Sequence, residues 1–159
     1  MELSGSTIVP YPRDVVWQSL FDAETIRRSI SGCIELDWIS ENELQGKIKK
    51  KFGPVKATFP INLSVSDVVQ FESYTMQGSS KGGSFGYVNG EADFKLVDVD
   101  EGCELFYEAG VKMGGKLAQI GSRLMSSAAK KIVGDFFEAF FAEIESQNSP
   151  ETDEEKEPD

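Results

Sequence analysis

The residues from Gly110 to Lys116 have the GxxxxGK spacing of a phosphate-binding loop, in which backbone amides and a lysine hold nucleotide phosphates. That chemistry also needs a serine or threonine after the lysine to bind Mg²⁺, and position 117 is leucine. Phosphate-binding loops lie at the end of a parallel sheet, whereas the segments around this motif predict antiparallel strands. We therefore interpret Gly114 and Gly115 as a tight turn between a strand and a helix.

Other side chains that commonly do chemistry are scarce. The chain contains no histidine, which removes the commonest general base and a frequent metal ligand. Cys33 and Cys103 form no CxxC pattern, and Cys33 is expected to pack as a small apolar residue. Asp14, Asp22 and Glu24 cluster near the first helices, where cap positions and first helical turns account for them. We expect a protein that is not an enzyme and that has no cofactor and no bound metal.

Length and charge limit the class of protein further. A chain of 159 residues with 40% hydrophobic content is enough for one domain with its own core. Its net charge of −11 repels phosphate backbones and anionic membrane surfaces, so we expect no nucleic-acid partner and at most peripheral membrane contact. No apolar run is long enough to cross a bilayer, and the chain does not open like a signal peptide. These features predict a cytoplasmic protein with free thiols, at most peripheral at the inner face of the membrane.

The order of predicted elements indicates an α+β fold. Residues 2–9 read as a strand, and Pro12 and Asp22 fit the starts of two short helices, of which the second ends at Gly32. About six segments then alternate apolar and polar residues, as antiparallel strands with one buried face do. The turn signals between them include Gly53-Pro54 and the glycine cluster 78–86.

A long C-terminal helix is predicted from Gly114 to Glu145. It would run about 45 Å at about 1.5 Å per residue, so it needs a broad sheet to lie on. Its expected buried stripe has spacings of three and four and consists of Leu117, Ile120, Leu124, Ala128, Ile132, Phe136, Phe140 and Ile144. We expect residues 1–146 to form the domain and residues 147–159 to be a disordered acidic tail.

Small residues at inward strand positions favour a hollow between the sheet and this helix, because they leave the space unfilled. These small residues are Gly46, Ala57, Gly78, Gly86, Gly90, Ala92 and Ala109. The predicted walls are apolar and would suit a lipid-like guest. They comprise Phe59, Ile61, Tyr74, Met76, Phe94, Tyr107, Val111, Ile120, Leu124 and Phe136. The alternative for each of them taken singly is a place in a solid core.

Four stretches of the sequence are similar to the CoxG family of carbon monoxide dehydrogenase subunits. They are residues 16–22 (VWQSLFD), 31–33 (SGC), 52–57 (FGPVKA) and above all 113–124 (MGGKLAQIGSRL). The resemblance covers about residues 1–145. It implies the helix-grip fold of the START and polyketide-cyclase-like superfamily, in which a curved antiparallel sheet wraps a long C-terminal helix around an apolar cavity.

The resemblance also implies a function. Members of the superfamily bind lipids and other hydrophobic molecules, and CoxG relatives are associated with molybdenum-containing CO dehydrogenase-like oxidoreductases as membrane-recruitment factors and candidate quinone carriers. A hydrophobic small molecule and a molybdenum-containing oxidoreductase are therefore the expected partners, with an adaptor or assembly role as the alternative to carriage.

Lysines in the third predicted strand are a further feature of the sequence. Lys50 shares its phase with Ile48 and Phe52, where relatives usually have an apolar residue, and it could meet an anionic or carbonyl head group or extend to the rim of the sheet. The run 47–51 (KIKKK) could be a docking surface or a solvated edge strand guarded by lysine.

Overall fold

The computed structural model describes residues 1–52, 55–81 and 86–148. It contains seven strands and four helices in these ranges, in an order that confirms the predicted α+β class. In chain order the elements are β1 (Glu2–Val9), α1 (Arg13–Leu20), α2 (Ala23–Ser29), β2 (Cys33–Trp38), β3 (Glu43–Phe52), β4 (Val55–Val69), β5 (Ser73–Lys81), β6 (Tyr87–Val99), β7 (Gly102–Gly114), α3 (Lys116–Gln119) and α4 (Ser122–Asn148).

The strands form one antiparallel sheet in the order β1-β7-β6-β5-β4-β3-β2. The first and last strands in the sequence are neighbours, with Glu2 opposite Gly110 and Val9 opposite Cys103. All other neighbours are consecutive in the chain, as short connections between alternating segments predict. The predicted turn at Gly53-Pro54 and residues 82–85 of the glycine cluster lie outside the described residues, while Gly78 to Lys81 belong to β5.

Alternation along the strands matches the predicted buried faces. In β4, Phe59 and Val65 are buried, whereas Lys56, Thr58 and Asn62 are exposed. Since successive side chains of a strand point to opposite faces, one face of the sheet carries the apolar residues toward the helices. We call this the inner face.

Two short helices follow β1, and the first begins one residue later than predicted. Pro12 is the N-cap of α1 rather than its first helical residue. Asp22 is the N-cap of α2, and its Oδ2 accepts a hydrogen bond of 2.6 Å from Thr25 Oγ1. α2 ends at Ser29, and Gly32 follows with φ +85°, a conformation that favours glycine.

The C-terminal helix is interrupted, which corrects the prediction of one helix from Gly114 to Glu145. After α3 the chain passes through Gly121 with φ +104°, and α4 then runs from Ser122 to Asn148. A left-handed residue ends regular α-helical hydrogen bonding, and glycine adopts it at little steric cost. α4 is about 40 Å long at about 1.5 Å per residue, and it continues two residues past the expected domain boundary at residue 146.

The C-terminal end of α4 is held by α2. Gln147 Nε2 donates a hydrogen bond of 3.0 Å to Thr25 Oγ1. Arg28 Nη1 of α2 lies 3.7 Å from Glu143 Oε1 of α4. Phe140 and Ile144 on the same end of α4 are fully buried. This end of the helix is therefore anchored through both packing and polar contacts.

Candidate ligand-binding site

The inner face of the sheet is closed at the C-terminal end of α4 by a cluster of aromatic residues, which we call the aromatic core. The Tyr74 ring lies 5.0 Å from the Phe94 ring and 5.5 Å from the Trp17 ring, centroid to centroid. Aromatic rings at such distances are densely packed and leave no space for a guest. Its members include Trp17, Phe21, Tyr74, Phe94, Tyr107, Phe136, Phe137 and Phe140.

A second, smaller cluster lies at the other end of the inner face. Phe59 and Leu117 are buried, and Ile120 and Met113 pack against them. We call it the Phe59–Leu117 cluster. It holds α3 against the strands, because Leu117 is 2% exposed.

A hollow of about 990 Å³ adjoins this second cluster, between the end of β7 and the N-terminal half of α4. Val111 and Met113 of β7, Ala118 of α3, and Met125 and Ser126 of α4 are among the residues that line it. We call it the β7–α4 hollow. Met113 belongs both to its wall and to the Phe59–Leu117 cluster, so the hollow and the cluster are continuous.

Small residues beside the hollow keep the inner face open. Gly90 and Ala92 of β6 are in register with Val111 and Ala109 of β7, and all four are only half-buried. A central strand position that faces a helix is normally filled by a large side chain. Partial exposure at these inward positions indicates unfilled space, as the sequence pattern predicted.

Gly46, another small inward residue, serves a different purpose. A Cβ atom at this position would meet the backbone carbonyl oxygen of Glu35 and lie 3.0 Å from Leu36 Cα. Gly46 therefore allows β2 to approach β3 closely.

The structure distributes the predicted wall residues over several places. Val111 lines the β7–α4 hollow. Phe59 and Ile120 belong to the Phe59–Leu117 cluster beside it, and Ile61 packs with Leu36 and Leu44 in a third cluster under β2 and β3. Five predicted wall residues pack in or against the aromatic core, namely Tyr74, Met76, Phe94, Tyr107 and Phe136. Ligand contact by these residues stays a prediction.

Leu124 lies outside the inner face, and Met125 is buried instead. Their exposed fractions are 48% and 7%. The predicted stripe runs through α4 in steps of four residues, and each step turns about 40° beyond a full turn of the helix, so Leu124 and Phe136 are not on the same side of α4. At 3.6 residues per turn, Met125 is about 20° from Phe136 around the helix axis, whereas Leu124 is about 120° away.

Lys50 is half-buried and in register with Ala57 of β4, next to the Phe59–Leu117 cluster. It does not line the β7–α4 hollow. Its contact with a head group stays a prediction. The strand that carries it, β3, lies between β2 and β4, and β2 pairs with Lys47 and Ile48, so the interpretation of the run 47–51 as an edge strand is wrong for these two residues. Lys50 and Lys51 lie beyond the register of β2 and pair only with β4.

Three cations at the mouth of the hollow were missed at the level of sequence. Lys112, Arg123 and Lys130 are exposed and line it, and no acidic residue in the described part of the chain does so. Lysine and arginine at exposed strand and helix positions are common, so only their convergence in space distinguishes them. The sequence feature that could have indicated this convergence is that the three cations lie on both sides of the Gly114-Gly115 turn, which brings the end of β7 close to the helices.

Neither cysteine is set up as a nucleophile. Cys103 is fully buried, and burial raises the pKa of its thiol to about 11, assisted by the nearby Asp98 carboxylate. Burial likewise raises the pKa of the Cys33 thiol above its ordinary value. Since the thiolate is the reactive form, both side chains serve as packing residues.

The described residues, 1–52, 55–81 and 86–148, contain no group of three or more cysteine, aspartate or glutamate side chains that could hold a metal ion. Within the same ranges, no helix combines the length and the hydropathy needed to cross a bilayer.

A second concavity, of about 710 Å³, extends across strands β3 to β7 of the sheet. Gln45, Asn62, Gln77 and Asn89 are among its lining residues and occupy the exposed phase of four neighbouring strands. Leu44, Leu63 and Val111 also line it, so its walls contain both polar and apolar residues. Unlike the β7–α4 hollow, it receives no residue from α3 or α4.

A seven-stranded antiparallel sheet that packs against a long C-terminal helix, with a hollow between the two, defines a helix-grip protein. The chain belongs to the CoxG family of carbon monoxide dehydrogenase subunits, whose family model matches residues 5–145. None of the curated proteins matches the chain.

Solved structures show the same fold. A conserved protein from Geobacillus kaustophilus is similar with a TM-score of 0.84 and 28% identity, over 91% of this chain and 95% of that chain. TTHA0849 from Thermus thermophilus has a TM-score of 0.70 and 11% identity, over 94% and 100% of the two chains. Ara h 8.0201 has a TM-score of 0.64 and 13% identity, over 92% and 98%.

Proposed function

We propose that this protein binds one hydrophobic small molecule, of lipid or quinone type, in the β7–α4 hollow and carries it without changing it chemically. The observation that supports this proposal is the hollow of about 990 Å³ with Val111, Met113 and Met125 in its wall. Pockets of roughly 300–1,000 Å³ with mainly apolar walls are typical of small-molecule sites. The guest would enter from the N-terminal half of α4, because the aromatic core closes the other end.

The side chains around the hollow favour binding over catalysis. The described lining has no cysteine and no carboxylate, and histidine is absent from the chain. A general base or a nucleophile would have to come from serine or lysine without an orienting partner. Membership of the CoxG family supports the same non-catalytic role.

Membership of the family also supports a partner for this carrier. We infer that the guest is exchanged with a CO dehydrogenase-like molybdenum oxidoreductase in the cytoplasm, since the family takes its name from that enzyme. The catalytic chemistry would then belong to the oxidoreductase.

Organic extraction of the purified protein, followed by mass spectrometry, tests carriage. We expect one apolar compound in stoichiometric amount. Ser126→Trp should abolish it, because Ser126 is half-buried and lines the hollow. Ala142→Trp is the matched control, since Ala142 is exposed on the same helix and lies outside the hollow. An empty wild-type extract, together with no binding of added lipid or quinone, would contradict the proposal.

A row of lysines favours the second candidate function, an adaptor or assembly factor for the oxidoreductase. Lys47, Lys49 and Lys51 of β3 and Lys56 of β4 are all exposed on the outer face. None of them forms an ion pair with another residue of the described ranges. Unpaired charges of one sign on a protein of net charge −11 suit an acidic partner surface.

Charge reversal separates this candidate from carriage. Lys47→Glu with Lys49→Glu should abolish co-purification with the oxidoreductase and leave the extracted compound unchanged. Lys95→Glu, on the same face of β6, is the control. Failure of the wild-type protein to retain any large oxidoreductase would argue against the adaptor role.

A further inference from the structure

The cations at the mouth of the β7–α4 hollow have no neutralising partner among the described residues. Lys112, Arg123 and Lys130 are absent from every ion pair and side-chain hydrogen bond of those ranges. The neighbouring Lys131 differs, because its Nζ lies 2.9 Å from Asp135 Oδ2. Lys112 also lines the concavity of about 710 Å³, together with Glu2 and Glu91, whereas Arg123 and Lys130 line only the β7–α4 hollow. Two cations on one face of α4 without a carboxylate beside them in the hollow are unexpected in a chain with 27 acidic and 16 basic residues.

Apolar side chains form part of the wall next to these cations, together with Ser122, Ser126 and Ser127. Met125 is 7% exposed and Met113 is half-buried, and both line the same hollow as Arg123. The hollow thus joins a cationic rim to an apolar wall within one site. A molecule that complements both parts has an apolar chain and an anionic end.

We propose that the guest is an acidic amphiphile whose anionic oxygen atoms, from a carboxylate or a phosphate monoester, are bound by Arg123 and Lys130. This inference rests on the proposed function and narrows its guest to molecules with an acidic head group. A bound anion relieves the mutual repulsion of the two cations and accepts charge-assisted hydrogen bonds from them. A neutral quinone carbonyl or an alcohol gains much less from the same groups.

Ligands that share one hydrocarbon chain and differ in the head group test the contribution of the head group alone. Calorimetric titrations compare three ligands with the same twelve-carbon chain and different end groups: dodecanoate and dodecyl phosphate, each below its critical micelle concentration, and dodecanol below its solubility limit. We expect at least one of the two acids to bind at least tenfold more tightly than dodecanol, which is about the contribution of one charge-assisted hydrogen bond. High salt should weaken binding of the acid and leave dodecanol unaffected.

Variants locate the head-group site. Arg123→Gln with Lys130→Gln should lower the affinity for the acid at least tenfold, again about one charge-assisted hydrogen bond, and leave the affinity for dodecanol unchanged. Arg123→Lys keeps the charge and should retain most of the affinity. Lys131→Gln is the matched control, since Lys131 does not line the hollow. All of these side chains are exposed, so the variants should fold.

The outcomes distinguish the proposal of an acidic head group from the proposal that the protein carries a hydrophobic molecule. Equal affinity for the acids and dodecanol, or no effect of the double variant, overturns the acidic head group while hydrophobic carriage stands. No binding of any of the three ligands overturns both. Co-sedimentation with phosphatidylglycerol vesicles through the same cations, without binding of the free acids, overturns this inference in favour of a bilayer surface.

Discussion

The Tyr107 ring of β7 lies 5.7 Å from the Phe137 ring of α4, centroid to centroid, and this pair joins sheet and helix at the edge of the aromatic core. Four residues further along β7, Val111 already lines the hollow. The same strand therefore contributes to the closed end and to the open end of the inner face. The transition occurs over about 13 Å, at about 3.3 Å per residue.

The side of α4 that faces the sheet includes Met125 and excludes Leu124, so substitutions at these two positions should have unequal effects on the free energy of unfolding. Met125→Ala should lower the free energy of unfolding by about 2 kcal/mol, at the low end for a buried methionine because the side chain borders a hollow. Leu124→Ala should change it by less than about 0.5 kcal/mol, because Leu124 is exposed. Urea denaturation of both variants measures the difference. A larger loss at Leu124 would mean that the predicted stripe, and not the observed one, faces the sheet.

The close approach of β2 and β3 predicts a strong effect at Gly46. Gly46→Ala should destabilise the protein by about 1–3 kcal/mol, because the new methyl group would collide with the Glu35 carbonyl. Gly110→Ala is the matched strand control, since no atom lies within 4 Å of its Cβ position. Thermal denaturation should show a clear loss for the first variant only; equal melting temperatures would exclude the close contact.

Gly134 in the middle of α4 is predicted to be replaceable with a gain in stability. Its backbone is not in the left-handed region, and a Cβ atom there would meet nothing within 4 Å. Gly134→Ala should therefore raise the free energy of unfolding by about 1 kcal/mol through helix propensity. A loss of stability in chemical denaturation would show that another group occupies this space.

Glu24 predicts a pH dependence of stability. Hydrogen bonds from Arg27, followed by those from Arg28 and the charges of both, lower the pKa of Glu24 from 4.5 to about 2. A carboxyl whose pKa is lower in the folded state contributes stability above its unfolded pKa and loses this contribution as the pH falls through the folded value.

The difference in melting temperature between the wild type and Glu24→Gln should thus be full at neutral pH, decrease below about pH 4.5 and vanish near pH 2. Its size is modest because the ion pair is exposed to solvent. Glu41→Gln, in the exposed turn before β3, serves as the control. A difference that grows as the pH falls would contradict the assignment.

Both thiols are predicted to be protected in the folded protein. Cys103 is fully buried with a pKa of about 11, and Cys33 is 7% exposed with a raised pKa. Neither should react with iodoacetamide at pH 8 on a timescale shorter than that of unfolding, whereas both should react in denaturant. Mass spectrometry counts the modified thiols, and rapid labelling of the native protein would contradict the observed burial.

Most of the fold could be predicted because its signals are local. Alternation over residues 55–65 identified β4, and the proline and aspartate near Arg13 and Ala23 identified α1 and α2. The family resemblance was confirmed over residues 5–145. The break at Gly121 was not predicted as an end of the helix, since a single glycine costs a helix only about 1 kcal/mol and does not by itself stop it.

The sequence predicted unfilled space between the sheet and the C-terminal helix, but it did not predict which residues surround that space. Small inward residues such as Ala92 and Ala109 indicated unfilled space, but which large residues close the rest depends on how α4 crosses the sheet. Tyr107 and Phe136 therefore packed into the aromatic core, and Leu124 turned to solvent. The cations at the mouth come from β7 and α4, so only the folded chain brings Lys112 and Lys130 to one place.

The pairing of β1 with β7 has a consequence for how the protein folds. Glu2 lies opposite Gly110, so the first strand has no partner in the sheet until almost the entire strand region has left the ribosome. Contacts between such distant positions slow folding, because the loop between them must be closed first. The domain is thus expected to fold late in its synthesis and as one cooperative unit, with an unpaired β1 as the segment most exposed to misassembly until then.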